Sequence, residues 1–223
     1  PPAPCGASRA RAIVTVQAAV EREPGRQRVV QVASIALCLA IVGHYFRFVW
    51  LNALNIPFAD DILDVLQVLL EFLRAQDPAT ALAVLFEQHN DHRTLSSRLL
   101  YLLLYRIQGE IDFRTLAMVA NLALPVLALL LLGMVQRREA RWPALAVVAL
   151  LLFQLRAYGI VLWPMAAFAY FFVHAYAFAS LALLHAVTPG RFCLAALAAL
   201  LATFTLASGQ LCWLLGAVSL AHQ

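Results

Sequence analysis

The densest run of polar side chains in this chain spans seven consecutive residues. They are Glu87, Gln88, His89, Asn90, Asp91, His92 and Arg93. The run offers acids, imidazoles, amides and a cation within one loop, while the chain around it is largely apolar. Polar clusters are costly in such a setting unless water or a ligand satisfies them. Two interpretations follow: a substrate-binding loop, and a hydrated loop held by local hydrogen bonds.

A metal site is a narrower interpretation of the same loop. His89 and His92 are separated by two residues and have acids beside them. Imidazole nitrogens and carboxylate oxygens are common ligands of divalent metals. Spacing of this kind is also common in loops without metals. The identity of any metal therefore stays unknown, and a divalent cation is an open alternative.

The adjacent carboxylates Asp60 and Asp61 form the second candidate site. One carboxylate could take a proton from an acceptor hydroxyl or amine while the other orients it or holds a cation. The alternative is that Asp60 caps a following helix and places a favourable charge at its N-terminus. Both residues are candidate catalytic groups.

Three arginines are candidates for binding a phosphate group. They are Arg47, Arg93 and Arg98. A guanidinium makes strong, charge-assisted hydrogen bonds to phosphate oxygens. For Arg47, which lies in an apolar run, an equally good interpretation is that its side chain extends to the lipid headgroups.

The apolar content of the chain predicts a membrane protein. Apolar residues make up 63% of the sequence, and a span needs roughly 20 consecutive apolar residues. We predict an all-α, polytopic transmembrane helical bundle with spans near residues 29–54, 115–135, 142–156, 160–186 and 192–208, and a partial span at 211–223. Because that last run is only half a span and the first residue is Pro1, we expect the chain to be a piece of a longer protein.

The distribution of charge predicts the orientation of the spans. All sixteen basic residues are arginine; five precede the first predicted span, three follow the second, and Arg191 lies in the connection two further on. Such residues favour the cytoplasmic side. We expect residues 1–28 to be a disordered cytoplasmic tail and residues 57–114 to lie outside, in a bacterial inner membrane. The outside segment has a net charge of −4 and the rest of the chain +8, so topology explains the basic character better than nucleic-acid binding does.

The outside segment has helical periodicity of its own. Polar residues recur every three or four positions over residues 61–74, which predicts an amphipathic helix that lies at the membrane interface or packs against other spans. We expect further helices over residues 79–86 and 95–108, the latter capped by Thr94 and ended by Gly109. The first helix would be about 21 Å long. A second helix running back along it would bring residue 87 towards residue 60.

The order of these features resembles the GT-C superfamily of membrane glycosyltransferases. The resemblance rests on a first span, an outer loop opening on Asp60 and Asp61, and interfacial helices before the second span. Residues 86–93, with residues 99–101 and Arg106, are similar to a loop of bacterial multispanning proteins of that architecture, with Asp91 where Glu is expected. The resemblance implies a polyprenyl-phosphate sugar donor and a catalytic base at Asp60 or Asp61.

A transporter and a non-catalytic membrane subunit are the rival functions. Polar residues inside the predicted spans could line a path for a solute. They are Asn121, Gln154, His174 and Gln210. We expect these side chains to form hydrogen bonds between helices instead. The charges also concentrate outside the spans, which favours the transferase.

Overall fold

Helices account for all the regular secondary structure in the computed structural model, which describes residues 24–90 and 92–222. The α-helices are α1 (Pro24–Asn52), α2 (Val68–Arg74), α3 (Pro78–Phe86), α4 (Leu95–Gln108), α5 (Phe113–Asn121), α6 (Ala123–Gly133), α7 (Arg138–Leu152), α8 (Tyr158–Leu162), α9 (Pro164–Ala167), α10 (Val173–Leu184), α11 (Pro189–Thr203) and α12 (Leu211–Ala221). Two π-helical turns, Ile62–Gln67 and Phe168–Phe172, lead into α2 and α10, and 3₁₀ turns occur at Leu155–Ala157 and Ala207–Gln210. The all-α class is therefore confirmed for the described residues.

Four helical runs are long and apolar enough to cross a membrane. They are span 1 (Gln27–Asn52), span 2 (Phe113–Gly133), span 3 (Glu139–Leu162) and span 4 (Pro164–Leu184). Two further apolar helices, Pro189–Thr203 and Ala207–Ala221, are shorter than the roughly 20 residues that a crossing needs. The helices are thus compatible with an integral membrane protein. The predicted tail at residues 1–28 lies mostly outside the described residues, and α1 already begins at Pro24.

The boundary between spans 3 and 4 differs from the sequence-based expectation. The sequence predicts a connection near residues 157–159, whereas span 3, with a 3₁₀ turn at Leu155–Ala157, reaches Leu162 and the chain turns at Trp163. Pro164 then occupies the first turn of α9. Proline is favoured there because its missing N–H has no partner at a helix start. The turn consequently lies several residues later than periodicity alone suggested.

A buried hydrogen-bond network joins spans 1, 2 and 3. The Tyr45 hydroxyl donates to Asn121 Oδ1, and Asn121 Nδ2 donates to the Val161 carbonyl at 2.9 Å. Both side chains are fully buried in an otherwise apolar core. The prediction that Asn121 connects helices is confirmed. Gln154, in contrast, is exposed just after α7 and donates to the Leu151 carbonyl of that helix, so it does not join two helices.

The segment between spans 1 and 2 buries two carboxylates and leaves several large apolar side chains exposed. Asp61 and Asp64 are fully buried, whereas several large apolar side chains of the same helical run are about half exposed. These are Ile62, Leu63, Leu70 and Leu73. An exposed apolar face next to four candidate spans suits a helix lying in the membrane interface. We call residues 53–112 the outer segment and the end of the bundle that it covers the outer end.

The ends of the helices in the outer segment follow local signals with two exceptions. Asp77 caps α3 by accepting from the Thr80 N–H at 2.9 Å, and Gly109 ends α4 with a φ of 78°. Thr94 precedes α4, but its hydroxyl donates to Asp64 Oδ1 at 2.8 Å. The expectation that Asp60 caps the next helix is wrong. Helical structure begins after Asp61, and no side chain caps that helix end.

Three connections meet at the outer end. The Met165 N–H, in the turn between spans 3 and 4, donates to Asp61 Oδ1 at 3.2 Å. The Ser96 N–H donates to the Phe204 carbonyl, just after α11, at 3.4 Å. The outer segment is therefore fastened to two later parts of the chain that sequence reasoning did not connect with it.

We expect a cysteine placed at Gln108 to react with a membrane-impermeant thiol reagent added outside intact cells. Gln108 is an exposed residue at the end of α4, and positive-inside bias puts the outer segment outside. The natural cysteines are first changed to alanine. A cysteine at the exposed Arg137, between spans 2 and 3, is the matched control and should react only after lysis. The opposite pattern of labelling would reverse the topology.

Candidate functional site

A buried ion pair forms the centre of the outer segment. Arg98 Nη2 donates to Asp64 Oδ1 at 2.9 Å, and Arg98 Nε donates to the same oxygen at 3.1 Å. The arginine is 2% exposed and the aspartate is fully buried. Burial raises the pKa of Asp64, and the Arg98 charge and the Thr94 hydroxyl oppose that rise. A buried guanidinium requires such a counter-charge.

Arg98 also closes the C-terminal end of α3. Its Nη1 donates to the carbonyls of Glu87 at 2.7 Å and Val84 at 2.9 Å, with Leu85 farther away at 3.3 Å. The last carbonyls of a helix have no intrahelical partner and carry partial negative charge. One arginine thus joins α3, α4 and the helical run that contains Asp64. Its guanidinium lies inside the fold, where it positions other groups.

A tight turn places His89 against the carboxylates. His89 and His92 exchange backbone hydrogen bonds of 2.8 and 2.9 Å, and Asn90 has a φ of 49°. Asparagine tolerates this left-handed conformation, which two-residue hairpin turns require. His89 Nδ1 lies 3.9 Å from Asp64 Oδ1, and Nε2 lies 3.8 Å from Asp60 Oδ2. The predicted approach of this loop to Asp60 is confirmed.

Asp61 fastens two turns together from a buried position. Its Oδ2 accepts from the Phe58 N–H at 3.0 Å, and its Oδ1 accepts from the Met165 N–H. Burial raises the pKa of Asp61 to about 6, although both N–H groups and the adjacent Trp163 indole lower it. The Trp163 Nε1 atom itself makes no hydrogen bond of ordinary geometry. A substrate cannot reach a fully buried carboxylate, so Asp61 acts here as a structural acceptor.

Asp60 is the accessible carboxylate of the pair. Its side chain is 40% exposed, and its Oδ2 lies 3.8 Å from His89 Nε2. Ala59, directly before it, has a φ of 49°, a left-handed conformation that alanine rarely adopts. Strain of this kind persists only where the surroundings impose it, and it clusters at functional sites. The Asp60 carboxylate is therefore accessible to solvent, while the backbone before it is kept in an unusual conformation.

Several buried polar atoms in this region have no hydrogen-bond partner among the residues that the structure describes. They are Asp64 Oδ2, His89 Nε2, His92 Nδ1, Tyr101 Oη and Trp163 Nε1. Burial, with the nearby charges of Asp64 and Asp61, raises the pKa of Tyr101 well above its usual range, so its phenol stays protonated. Buried polar atoms in proteins normally contact an ordered water or a ligand. The region therefore has unused hydrogen-bonding capacity next to Asp60.

The remaining predicted residues are more dispersed. Glu87, Asn90 and Arg93 are exposed in the loop, and Asp91 lies outside the described residues. Arg47 is exposed on α1 and makes no hydrogen bond to the site residues that the structure describes. Over residues 24–90 and 92–222, no group of three or more His, Cys, Asp or Glu side chains is arranged to hold a metal ion. The site therefore offers hydrogen bonds and charge.

A polar pocket of about 280 Å³ lies between the loop and the connection after α11. Its lining residues are Gln88, His92, Arg93, Thr203, Phe204, Ala207 and Gln210. The pocket contains one guanidinium, two carboxamides and an imidazole. Such donors suit the oxygens of a phosphate or a sugar. The residues from beyond α11 carried no signal in the sequence that connected them with this loop.

Asp64 and Tyr101 are the site residues that sequence reasoning did not single out. A signal was present: Asp64 lies on the polar stripe of residues 61–74, and Arg98 and Tyr101 share one face of α4. Two polar faces on otherwise apolar helices are expected to pack against each other, because burial of an unpaired charge is costly. Pairing those faces would have predicted the Asp64–Arg98 contact.

We expect the wild-type chain to lose stability relative to Asp61→Asn as pH rises from about 4 to about 6. The folded state holds the Asp61 proton up to a pKa of about 6, against 3.8 for an ordinary aspartate. The unfolded chain therefore ionises first over this range, and the difference levels off at higher pH. Thermal unfolding in detergent measures it. Asp77→Asn is the control with the opposite sign: hydrogen bonds from Thr80 lower the pKa of Asp77, so its contribution to stability is lost as pH falls below the ordinary value of 3.8. A difference that is independent of pH at position 61 would contradict the assignment.

The geometry can be set beside known proteins. A half-exposed carboxylate, a histidine beside it and a buried ion pair lie at the outer end of a helical bundle. Comparison of this chain with protein-family models, with curated proteins and with solved structures gives no match. The resemblance to the GT-C superfamily accordingly stays a prediction that rests on the sequence features alone.

Proposed function

We propose that this chain is part of a membrane glycosyltransferase that moves a sugar from a polyprenyl-phosphate donor to an acceptor at the outer end of the bundle. The observation that carries the proposal is the position of Asp60, a 40% exposed carboxylate 3.8 Å from His89. It lies next to the unpaired polar atoms and on the same end as the polar pocket. A general base needs both access to substrate and a fixed orientation.

In the proposed reaction, Asp60 accepts the proton of an acceptor hydroxyl or amine. The deprotonated atom forms a bond to the anomeric carbon of the sugar as the bond from that carbon to the phosphate oxygen breaks. Polyprenyl phosphate leaves with the bonding electrons. His89 lies beside the base, with Nε2 3.8 Å from Asp60 Oδ2 and Nδ1 3.9 Å from Asp64 Oδ1.

The phosphate of the donor is assigned to the polar pocket. Arg93 is exposed and lines it together with Gln88 and His92, so it can neutralise phosphate charge. Arg98 is assigned a positioning role, because its guanidinium is occupied by Asp64 and by the carbonyls at the end of α3. Arg47, on α1, is left to contact lipid headgroups.

A lipid-linked donor suits a protein with four apolar helices of spanning length. The polyprenyl chain stays in the bilayer while its phosphate reaches the interface, where the outer segment has its exposed apolar face. We place the protein in a bacterial inner membrane with its N-terminus in the cytoplasm, following the arginine distribution. Membrane lipids and the lipid-linked sugar are the proposed partners. Nucleic acid is not among them.

The experiment is transfer from a radiolabelled polyprenyl-phosphate sugar in proteoliposomes that contain the full-length protein. Label moving to a water-soluble or lipid acceptor would support the transferase. Uptake of solute into the liposomes without transfer would instead favour the transporter. If a preparation shown to be folded has neither activity, a non-catalytic subunit is the remaining class of function.

A further inference from the structure

Span 3 is interrupted in its outer half. Helix α7 ends at Leu152, Gln154 adopts an extended conformation with a ψ of 142°, and a 3₁₀ turn covers Leu155–Ala157 before α8 begins. Gln154 Nε2 donates to the Leu151 carbonyl at 3.0 Å, one of the carbonyls near the end of α7. Interrupted helices are tolerated within a membrane where their backbone is covered by protein or lines a cavity.

The interruption borders a cavity of about 580 Å³. Its lining residues are Tyr45, Leu124, Leu127, Leu151, Leu152, Gln154, Arg156, Ala157, Ile160, Val161, Tyr170, Phe171 and His174. The volume lies within the range of small-molecule sites. Leucines from spans 2 and 3 make one wall apolar, whereas Gln154, Arg156 and His174 contribute polar groups.

Arg156 is the distinctive member of this lining. It is exposed, and it has no ion-pair partner in the part of the chain that the structure describes. It precedes Leu162, the last residue of span 3, by six positions, or about 9 Å along a helix. An ionisable side chain within a span usually marks a binding site or pathway. At this depth the long side chain of an arginine can meet a lipid phosphate.

We propose that this cavity binds a single phosphate-bearing lipid, with the phosphate on Arg156 and the hydrocarbon chain along the leucine wall. Charge complementarity selects an anionic head, because Arg156 has no acidic neighbour in the described lining. The apolar wall selects a hydrocarbon chain over free phosphate. The helix interruption supplies room for the head beside Gln154 and Ala157.

Two lipids share this chemistry: an anionic phospholipid and polyprenyl phosphate. Only the second alternative rests on the proposed function, since polyprenyl phosphate is the product that sugar transfer releases, and the cavity would hold this lipid after it leaves the polar pocket assigned to the donor phosphate. Val161 lines the cavity, and the turn at Trp163–Met165 that follows it contacts Asp61. The cavity is therefore connected to Asp61 through Val161 and this turn.

The test measures equilibrium binding of fluorescent phosphatidic acid to the full chain in neutral detergent. We expect Arg156→Gln to weaken binding roughly tenfold or more, as loss of a charge-assisted hydrogen bond implies. Ala157→Phe should also weaken it, because the ring fills the cavity while Arg156 stays. Arg106→Gln, an exposed arginine on α4 away from the lining, is the matched control and should bind as the wild type does. Circular dichroism establishes that each variant keeps its helical content.

Competition separates the possible ligands. Displacement by polyprenyl phosphate at much lower concentration than by unlabelled phosphatidic acid would identify the polyprenyl carrier lipid. Equal displacement would identify a general anionic phospholipid, and both results support the site. Displacement by inorganic phosphate, equal binding of an uncharged lipid, or full binding by folded Arg156→Gln would overturn the proposal. Sugar transfer is measured separately, so lipid binding without transfer would refute only the proposed function.

Discussion

Replacing Asp60 by asparagine is expected to reduce the rate of sugar transfer by about a hundredfold or more in the full-length protein. The amide keeps the shape of the carboxylate but cannot accept the acceptor's proton. Binding of the lipid donor should change little, because the proposed phosphate contacts are at Arg93 and its neighbours in the polar pocket. The measurement is initial rate in proteoliposomes beside a separate donor-binding assay.

The matched control for Asp60→Asn is Glu110→Gln. Glu110 is an exposed acid of the same outer segment. It is not one of the site residues Asp60, Asp64 and His89, and it does not line the polar pocket, so its variant should transfer at the wild-type rate. Arg93→Ala should weaken donor binding, since a charge-assisted contact is lost. Transfer that survives Asp60→Asn unchanged would remove this carboxylate from the mechanism and with it the main support for the proposal.

Replacing Arg98 by alanine is expected to destabilise the folded chain by about 3–5 kcal/mol. The change leaves Asp64 buried without its counter-charge and removes the donors to the carbonyls at the end of α3. Helices α3 and α4 should then separate from the helical run of Asp64. Unfolding by denaturant in detergent, followed by circular dichroism, measures the loss.

Two variants make the Arg98 prediction specific. Arg93→Ala removes an exposed arginine of the neighbouring loop and should leave stability nearly unchanged. Combining Asp64→Leu with Arg98→Met should recover much of the loss, because apolar pairs often replace buried ion pairs without penalty. If Arg98→Ala unfolds at the same denaturant concentration as the wild type, the ion pair does not hold the outer segment together.

Much of the outer segment could be predicted from local signals. The Asp77-Pro78 sequence predicted the break before α3, and Gly109 predicted the end of α4, because each residue has a steric or hydrogen-bonding reason to end or begin a helix. The return of residues 87–93 to Asp60 followed from helix length and a chain reversal. His89 lies 3.8 Å from that carboxylate. These features depend on neighbours in sequence, so the sequence contains them.

The roles of individual polar residues could not be predicted in this way. Asp60 and Asp61 are adjacent and chemically identical in sequence, yet one is 40% exposed at its side chain and the other is fully buried. The difference arises because Asp61 accepts from Met165, 104 residues away. Arg98, expected to bind phosphate, is instead enclosed by Asp64 and three carbonyls. Periodicity gives the face of a helix but does not identify what packs against that face.

The helical class, the apolar runs of spanning length and the concentration of charge in one segment could be predicted from the sequence, because composition and short-range periodicity control them. Three other features are visible only in the folded bundle: which carboxylate reaches solvent, which arginine is buried, and the cavity beside the interruption of span 3 with Arg156 in its lining. Each of these depends on contacts between residues far apart in the chain. Their free energy comes from burial and pairing in the assembled bundle, which no local segment experiences alone.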